Sequence, residues 1–329
     1  MPVTFLADNS FEYFLTLLRA QGELHGPLRS DDGVVRFSRL DRGDLPDFSA
    51  VRTLLPPKKY LLPPQEKVLS YQTGNGYREP QCAAPHLILL GLHPCDLAAI
   101  SYLDLMFGGD NPDTMYAARR SALTLIGSSC RPDDFCSCHL ASSSLNAFSD
   151  LFLRRIDGGY AVSSSSPRGD TLMSLVRESC EEREVEVPTD ARSFFGRTVD
   201  APSCTELDPA LPDWQELADR CLGCGACSIC CPTCACFDVL ERGALDGGSA
   251  ERFRRWDNCL FKSHAEVAGG SSFQKDGAQR FRYRYRHKYR GFGALQGIAG
   301  CVGCGRCRDA CPAGIDLRPL AMRLEEPSP

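Results

Sequence analysis

Cys221-Leu-Gly-Cys224-Gly-Ala-Cys227-Ser-Ile-Cys230-Cys231-Pro232 is the stretch from which the rest of the chain is read. It fits the pattern C-x2-C-x2-C-x3-C-P. Cys301-Val-Gly-Cys304-Gly-Arg-Cys307-Arg-Asp-Ala-Cys311-Pro312 fits it again, with seven of twelve positions identical. Three thiolates at two-residue gaps can wrap three corners of one four-iron cubane, and the glycines let the backbone approach it. The fourth cysteine, followed by proline, turns away to a second cubane. This spacing assigns one [4Fe–4S] cluster to Cys221, Cys224, Cys227 and Cys311, and another to Cys301, Cys304, Cys307 and Cys231. The competing reading is a pair of zinc knuckles, a zinc-stabilised assembly module. Knuckles use pairs of CxxC or Cys/His mixtures, a pattern that the double run does not follow.

Sixty-nine residues separate Cys231 from Cys301, far more than a compact two-cluster ferredoxin needs, so this region carries a long insertion. Cys230 abuts Cys231, points elsewhere and reads as packing. Cys234, Cys236 and Cys259 lie outside the ferredoxin pattern. They read either as neutral thiols lining a cluster shell or as ligands to something further. From Arg280 to Arg286, arginine alternates with aromatic residues, which predicts a strand with one cationic face. That face is either solvated or set against the negative charge of the clusters.

Composition agrees with a metal-binding chain. Nineteen cysteines occur in 329 residues, twelve of them between Cys221 and Cys311. The N-terminal stretch lacks the basic-then-apolar layout of an export signal, and no apolar run reaches the roughly 18 residues of a membrane span. A cytoplasmic, reducing setting follows, in which clustered thiols read as metal ligands before disulfides. The net charge of −5 argues against nucleic acid as a partner. No G-x-G-x-x-G, P-loop or HExxH is present, so nothing in the chain points to NAD binding or to reduction of a substrate unaided.

Upstream, the pattern predicts a mixed α/β domain over 1–200, joined through a proline-rich linker at 200–212 to the ferredoxin-like α+β domain over 201–329. Ser10 caps a helix presenting Phe11, Phe14, Leu15 and Leu18. The stretch from Pro56 to Pro64 reads as extended, with Pro64 opening a helix through Tyr71. Two continuous apolar runs, 86–92 and 122–126, read as doubly buried strands flanking a helix over 96–106. Residues 152–162 read as a hairpin about Asp157-Gly158-Gly159, and 171–187 as a charged helix leading into a strand. Cys82, Cys180 and Cys204 have no partner in pattern and read as structural.

A third constellation follows these strands. Cys95 comes after the first, and Cys130, Cys136 and Cys138 after the second. Both sets fall at the carboxyl ends of neighbouring strands, where open α/β sheets bind their ligands. Four thiols there match the need of a third cubane or of a zinc ion.

The combination of HPCDLAAI, C-x5-C-x-C, CLGCGACSICCPTCACFD, RWDNC, RFRYRYRHK and CVGCGRCRDACPAGIDL, in this order from about Pro57 to Leu317, resembles the iron–sulfur beta subunits of cytoplasmic NADP-linked nickel–iron hydrogenases (sulfhydrogenases). It is equally similar to the iron–sulfur subunit of anaerobic sulfite reductase. One departure is Ala235, where an aromatic residue usually stands between the two cysteines. The resemblance implies a non-catalytic redox subunit that relays electrons through several [4Fe–4S] clusters. Its partners would be a flavin subunit oxidising NAD(P)H and a terminal catalytic subunit of the nickel–iron hydrogenase or sirohaem reductase type. It also favours a third cluster at Cys95, Cys130, Cys136 and Cys138, and leaves a ligand or redox role open for Cys234, Cys236 and Cys259. The rival from another class is an iron–sulfur enzyme acting directly on a sulfur substrate.

Overall fold

The computed structural model describes residues 2–80, 82, 84–138, 148–177, 180–184, 213–296 and 300–316. The linker read at 200–212, with Cys204, lies outside these residues. The chain divides into two compact units. One holds Met1–Pro57, Ala84–Val199 and Val302–Cys304; the other holds Lys58–Ala83, Asp200–Cys301 and Gly305–Pro329. Residues 58–83 fall with the second unit, where a single boundary near residue 200 would put them in the first, because Gln65–Gln72 pairs with Ser249–Arg255.

The first unit is built on an eight-stranded mixed sheet in the order β10-β1-β9-β8-β7-β6-β2-β3. In chain order its strands are β1 (Pro2–Ala7), β2 (Glu23–Arg29), β3 (Val35–Arg39), β6 (Leu87–Leu92), β7 (Leu123–Ser128), β8 (Leu151–Ile156), β9 (Gly159–Ser164) and β10 (Cys180–Glu184). The two apolar runs become β6 and β7, paired in parallel with Leu89 opposite Leu125. All six residues of β7 are buried, as covering on both faces requires. Helix α1 (Phe11–Gln21) buries Phe14, Leu15 and Leu18 against Leu24, Leu90 and Leu153 of the sheet. Each such leucine contributes roughly 1.5–3 kcal/mol of transfer free energy. Helix α3 (Pro94–Phe107) starts on Pro94, whose fixed φ suits a first helical turn, directly after β6. Two further helices complete the unit: α4 (Thr114–Ser121), capped by Asp113, which has no counterpart in the sequence reading, and α5 (Pro167–Val176), capped by Ser166. The hairpin about Gly158 is present as β8 and β9.

The second unit carries a four-stranded antiparallel sheet, β11-β12-β4-β5, from β4 (Gln65–Gln72), β5 (Gly76–Arg78), β11 (Phe237–Gly243) and β12 (Ser249–Trp256). Two predictions fail here. The stretch before Pro64 is not extended throughout, because Lys58–Leu61 forms the short helix α2. Residues 65–72 form a strand, not a helix. Their partner is β12, with Tyr71 opposite Ala250, and Arg254 donates to the buried Glu66 at 2.7 Å. Pairing with a strand some 180 residues away overrides local helix preference, and it draws 58–83 into this unit.

The remaining elements are α6 (Trp214–Arg220), α7 (Ala226–Ile229), the two-residue strands β13 (Glu266–Val267) and β14 (Ser271–Ser272), α8 (Gly277–Arg290) and α9 (Arg306–Asp309). Helix α8 corrects the third prediction: the Arg/aromatic stretch is helical. Its inward face is Phe281, Arg284, Tyr285 and Lys288, at helical spacing. Phe281 and Tyr285 enter a small core with Leu217, Leu260 and Ile315, against which Cys221, Cys227 and Cys311 pack.

Candidate metal centre

The internal repeat is repeated in backbone conformation. Gly223 and Gly225 have φ of 63° and 80°, and their counterparts Gly303 and Gly305 have 65° and 75°. These are left-handed values that glycine adopts without penalty. Each run then enters a four-residue helix, α7 or α9, and leaves it through a right-handed residue, Cys230 or Ala310. Two stretches 80 residues apart thus present their sulfurs by the same local geometry.

The first predicted set is brought together. Cys221, Cys224, Cys227 and Cys311 line one cavity together with Cys307 of the second set, and its other walls include Leu222, Leu260 and Ile315. Two sulfurs lie near backbone donors: the Gly223 N–H is 3.3 Å from Cys221 Sγ, and the Ile315 N–H is 3.4 Å from Cys311 Sγ. Burial pushes the Cys227 thiol up to about 11, against the pull of the Arg284 guanidinium, so a bound metal is the natural means of keeping it a thiolate. The four cysteines of the first set, joined by Cys307 around one mostly apolar cavity and with N–H groups aimed at two of their sulfurs, fit a thiolate-held iron–sulfur group.

The second set is partly drawn together. Cys231 lies 3.4 Å from the Thr233 hydroxyl, which donates to the carbonyl of Gly300, next to Cys301. The Lys288 ammonium donates to that hydroxyl at 2.7 Å. Tyr289 hydrogen-bonds Cys301 and faces Cys307, and burial with these thiols holds its phenol well above the ordinary range. Cys304 belongs to the Val302–Cys304 loop of the first unit. There Gly303 accepts a 2.8 Å hydrogen bond from the N–H of Ser137, between Cys136 and Cys138.

At the third set, Cys130 stands past the end of β7 with Cys136, Cys138 and Asp96 around it. Burial first, and then these groups, raise its thiol to about 12. Cys95 precedes Asp96 in the first turn of α3, at the carboxyl end of β6. The sequence reading missed Arg52. Its guanidinium pairs with Asp133, lies 3.4 Å from Cys136 Sγ and covers the Phe135 ring. Among the described residues, no three Cys, His, Asp or Glu side chains converge tightly enough to hold a single metal ion. A cubane, with each thiolate on a different iron, asks for a wider cradle.

Cys234, Cys236 and Cys259 form a separate group in the second unit. The Cys236 thiol hydrogen-bonds both of the others. Cys234 and Cys259 are buried. The bond from Cys236, ahead of burial, lowers the thiols of Cys234 and Cys259, the latter to about 6. Three cations surround the group, Lys58 and Arg284 buried and Lys288 half-buried. Arg284 Nη1 lies 3.9 Å from Cys259 Sγ while Nη2 donates to the Cys227 carbonyl at 2.7 Å. Lys58 donates to the Cys234 carbonyl at 3.0 Å, and the Lys288 ammonium faces Cys231 and Cys234. The sequence reading saw Arg284 and Lys288 only as part of a cationic stretch, and it missed Lys58 and Tyr289.

Residues 220–315 match the family model of the 4Fe-4S dicluster domain. Over 326 residues the chain is 32% identical to sulfhydrogenase 2 subunit beta of Pyrococcus furiosus, covering 94% of this chain and 95% of that protein. No solved structure matches. The fold is therefore mixed α/β with a ferredoxin-like 4Fe-4S domain in its C-terminal region. Among the described residues no helix is long and apolar enough to cross a membrane.

Proposed function

The chain belongs to the family of sulfhydrogenase beta subunits, and from that premise we propose that it is the electron-transfer subunit of an oxidoreductase complex. Cys221, Cys224, Cys227 and Cys311 hold one [4Fe–4S] cluster, and Cys301, Cys304, Cys307 and Cys231 a second. Cys95, Cys130, Cys136 and Cys138 hold a third. When bound, such clusters accept and release single electrons.

The chain's own residues set the conditions for that exchange. The N–H groups of Gly223 and Ile315 and the guanidinium of Arg284 place positive charge near the first set of sulfurs, which eases reduction. The apolar wall of Leu222, Leu260 and Ile315 limits water there. Electrons enter from a flavin subunit oxidising NAD(P)H and leave to a terminal subunit of the nickel–iron hydrogenase or sirohaem reductase type, in the cytoplasm. The chain itself turns over no substrate.

The observation that carries this reading is the convergence on one cavity of three cysteines from the first run with the fourth cysteine of the other, Cys311, alongside Cys307. That crossover is what the double pattern requires. The test is anaerobic counting of iron and acid-labile sulfide on the isolated chain, with about twelve of each per chain expected for three cubanes. Cys304→Ser should remove one cluster's signal from the reduced spectrum. An unchanged spin count, or a folded chain without iron, would refute the assignment. Turnover of sulfite or a disulfide by the isolated chain with an artificial donor would favour the rival enzyme reading.

A further inference from the structure

We propose that Cys236 and Cys259 form a dithiol–disulfide couple, a two-electron site distinct from the cluster ligands, with Cys234 as its third, flanking thiol. The inference goes beyond the relay reading and rests on it for its electron acceptors. Three observations carry it. Cys236 and Cys259 flank the two feet of the β11–β12 hairpin, where Phe237 pairs with Trp256 and the Asp257 N–H donates to the Cys236 carbonyl at 3.0 Å, and the Cys236 thiol faces both Cys234 and Cys259. None of the three belongs to the double C-x2-C-x2-C-x3-C-P pattern, and no single-ion site is formed among the described residues. The group is also tied to the predicted ligands through single side chains. Arg284 spans from Cys259 Sγ to the Cys227 carbonyl, and Lys288 faces both Cys231 and Cys234.

The bonding pair follows from geometry. Cys234 and Cys236 are separated by one residue, and a disulfide between them would close a small strained ring. Cys259 reaches Cys236 from a distant part of the chain, across the hydrogen bond from the Asp257 N–H to the Cys236 carbonyl at 3.0 Å. Arg284 beside Cys259 favours the thiolate, the form that reacts. On oxidation the Cys236 S–H bond breaks and one proton leaves. A single S–S bond forms to the Cys259 thiolate, and two electrons depart one at a time, each reducing one oxidised iron–sulfur cluster of the same chain. Reduction reverses every step. Such a site matches a two-electron donor such as a reduced flavin to one-electron carriers.

The test uses the full chain, isolated anaerobically with its clusters and poised with redox mediators at a series of potentials. Each sample is quenched in denaturant with N-ethylmaleimide and mapped by mass spectrometry, while iron, sulfide and the reduced-cluster spin count are taken from the same sample. At oxidising poise, peptides bearing Cys236 and Cys259 should appear joined with the loss of two hydrogens, and dithionite should return both to the alkylated form. Cys236→Ala should abolish the link and keep the parent spin count, whereas Cys234→Ala should keep the link. Full alkylation of both thiols at every poise, with iron intact, would overturn this inference alone. So would a Cys259→Ala chain that loses a cluster's worth of iron, because the thiols would then be ligands. A chain devoid of iron would overturn the relay reading, and with it the couple's acceptors.

Discussion

The ammonium of Lys58 donates to the carbonyl of Cys234 at 3.0 Å, joining residues 176 positions apart in the interior of the cysteine-rich unit. It also donates to the carbonyl of Ser228 at 3.2 Å and lies 4.2 Å from the centre of the Trp256 ring. Only 3% of Lys58 is exposed. Burial lowers its pKa, while the nearby thiols of Cys234, Cys231 and Cys230 oppose that loss. One side chain from the short helix α2 therefore fixes the backbone on both sides of the Cys230-Cys231 pair.

Lys58→Ala should consequently destabilise the second unit by about 1–3 kcal/mol, the cost of losing the ammonium's bond to the Cys234 carbonyl and its share of the Ser228 carbonyl, which keeps the Cys231 N–H. The urea midpoint of the full chain reads this. The adjacent Lys59, half-buried with its ammonium over Tyr60, provides the comparison. Lys59→Ala should cost less than about 1 kcal/mol. Equal losses for the two variants would remove the special role given to Lys58.

Arg284→Gln should lower the reduction potential of the cluster proposed at Cys221, Cys224, Cys227 and Cys311. The guanidinium is buried, and its Nη2 sits 2.7 Å from the Cys227 carbonyl. Removing a positive charge disfavours the added electron. Each 1 kcal/mol so lost shifts a one-electron couple by on the order of 40 mV. A spectroscopic redox titration measures the shift, and Arg284→Lys should recover most of it. An unmoved potential in the glutamine variant would show that the charge does not act on that cluster.

How legible these features were follows from the range of the contacts that make them. The doubled cysteine run could be read because its geometry is local: Gly223 and Gly225 fold as Gly303 and Gly305 do. Strands β6 and β7 were equally plain, since doubly buried parallel strands are continuous apolar runs. Strand β4 was not, because Gln65–Gln72 is a strand by virtue of β12 and of Arg254 on Glu66. Helix α8 was misread because its arginine and aromatic residues alternate from Arg280 to Arg286, a period of two that suits a strand, although Phe281 and Tyr285 also stand at helical spacing. Its start was nevertheless marked. Asp276 accepts from the Gln279 N–H, and Gln279 reaches back to the Lys275 N–H, a cap that sequence alone can signal. The cations around Cys234 and Cys259 come from two segments far apart in the chain, Lys58 from α2 and Arg284 and Lys288 from α8, and no local pattern announces their meeting.

Acid should weaken the first unit partly through Asp47. Burial works to raise this carboxyl, but hydrogen bonds from Ser49 and Arg29 outweigh it and hold the pKa below the ordinary range. A depressed folded-state pKa stabilises the fold fully above the unfolded carboxylate value of about 4. That contribution disappears as pH falls through the lower, folded value. Asp47→Asn should therefore lower the urea midpoint at neutral pH and flatten its decline between about pH 5 and pH 2. Parallel acid limbs for the two proteins would show that Asp47 is not among the linked groups.

The two runs offer a test in which sequence position is matched and surroundings differ. Gly223 and Gly303 hold the same place in the pattern and nearly the same φ, 63° and 65°. A Cβ on Gly223 meets nothing within 4 Å, whereas on Gly303 it would lie 2.4 Å from the carbonyl carbon of Ser137 and 2.5 Å from the nitrogen of Cys138. Gly223→Ala should thus cost only the left-handed strain, about 1–2 kcal/mol. Gly303→Ala bears the same strain together with a collision between two backbones, and no flexible side chain is there to give way. Its cost should exceed that of Gly223→Ala by at least about 1–2 kcal/mol. It should also disturb the Cys136–Cys138 segment, which is held by the bond from the Ser137 N–H to the Gly303 carbonyl. Urea midpoints compare the stabilities, and hydrogen exchange at the amides of 136–138 reports the segment. If the two alanine variants unfold alike and exchange at 136–138 is unchanged in Gly303→Ala, that loop does not hold the third cysteine set in place.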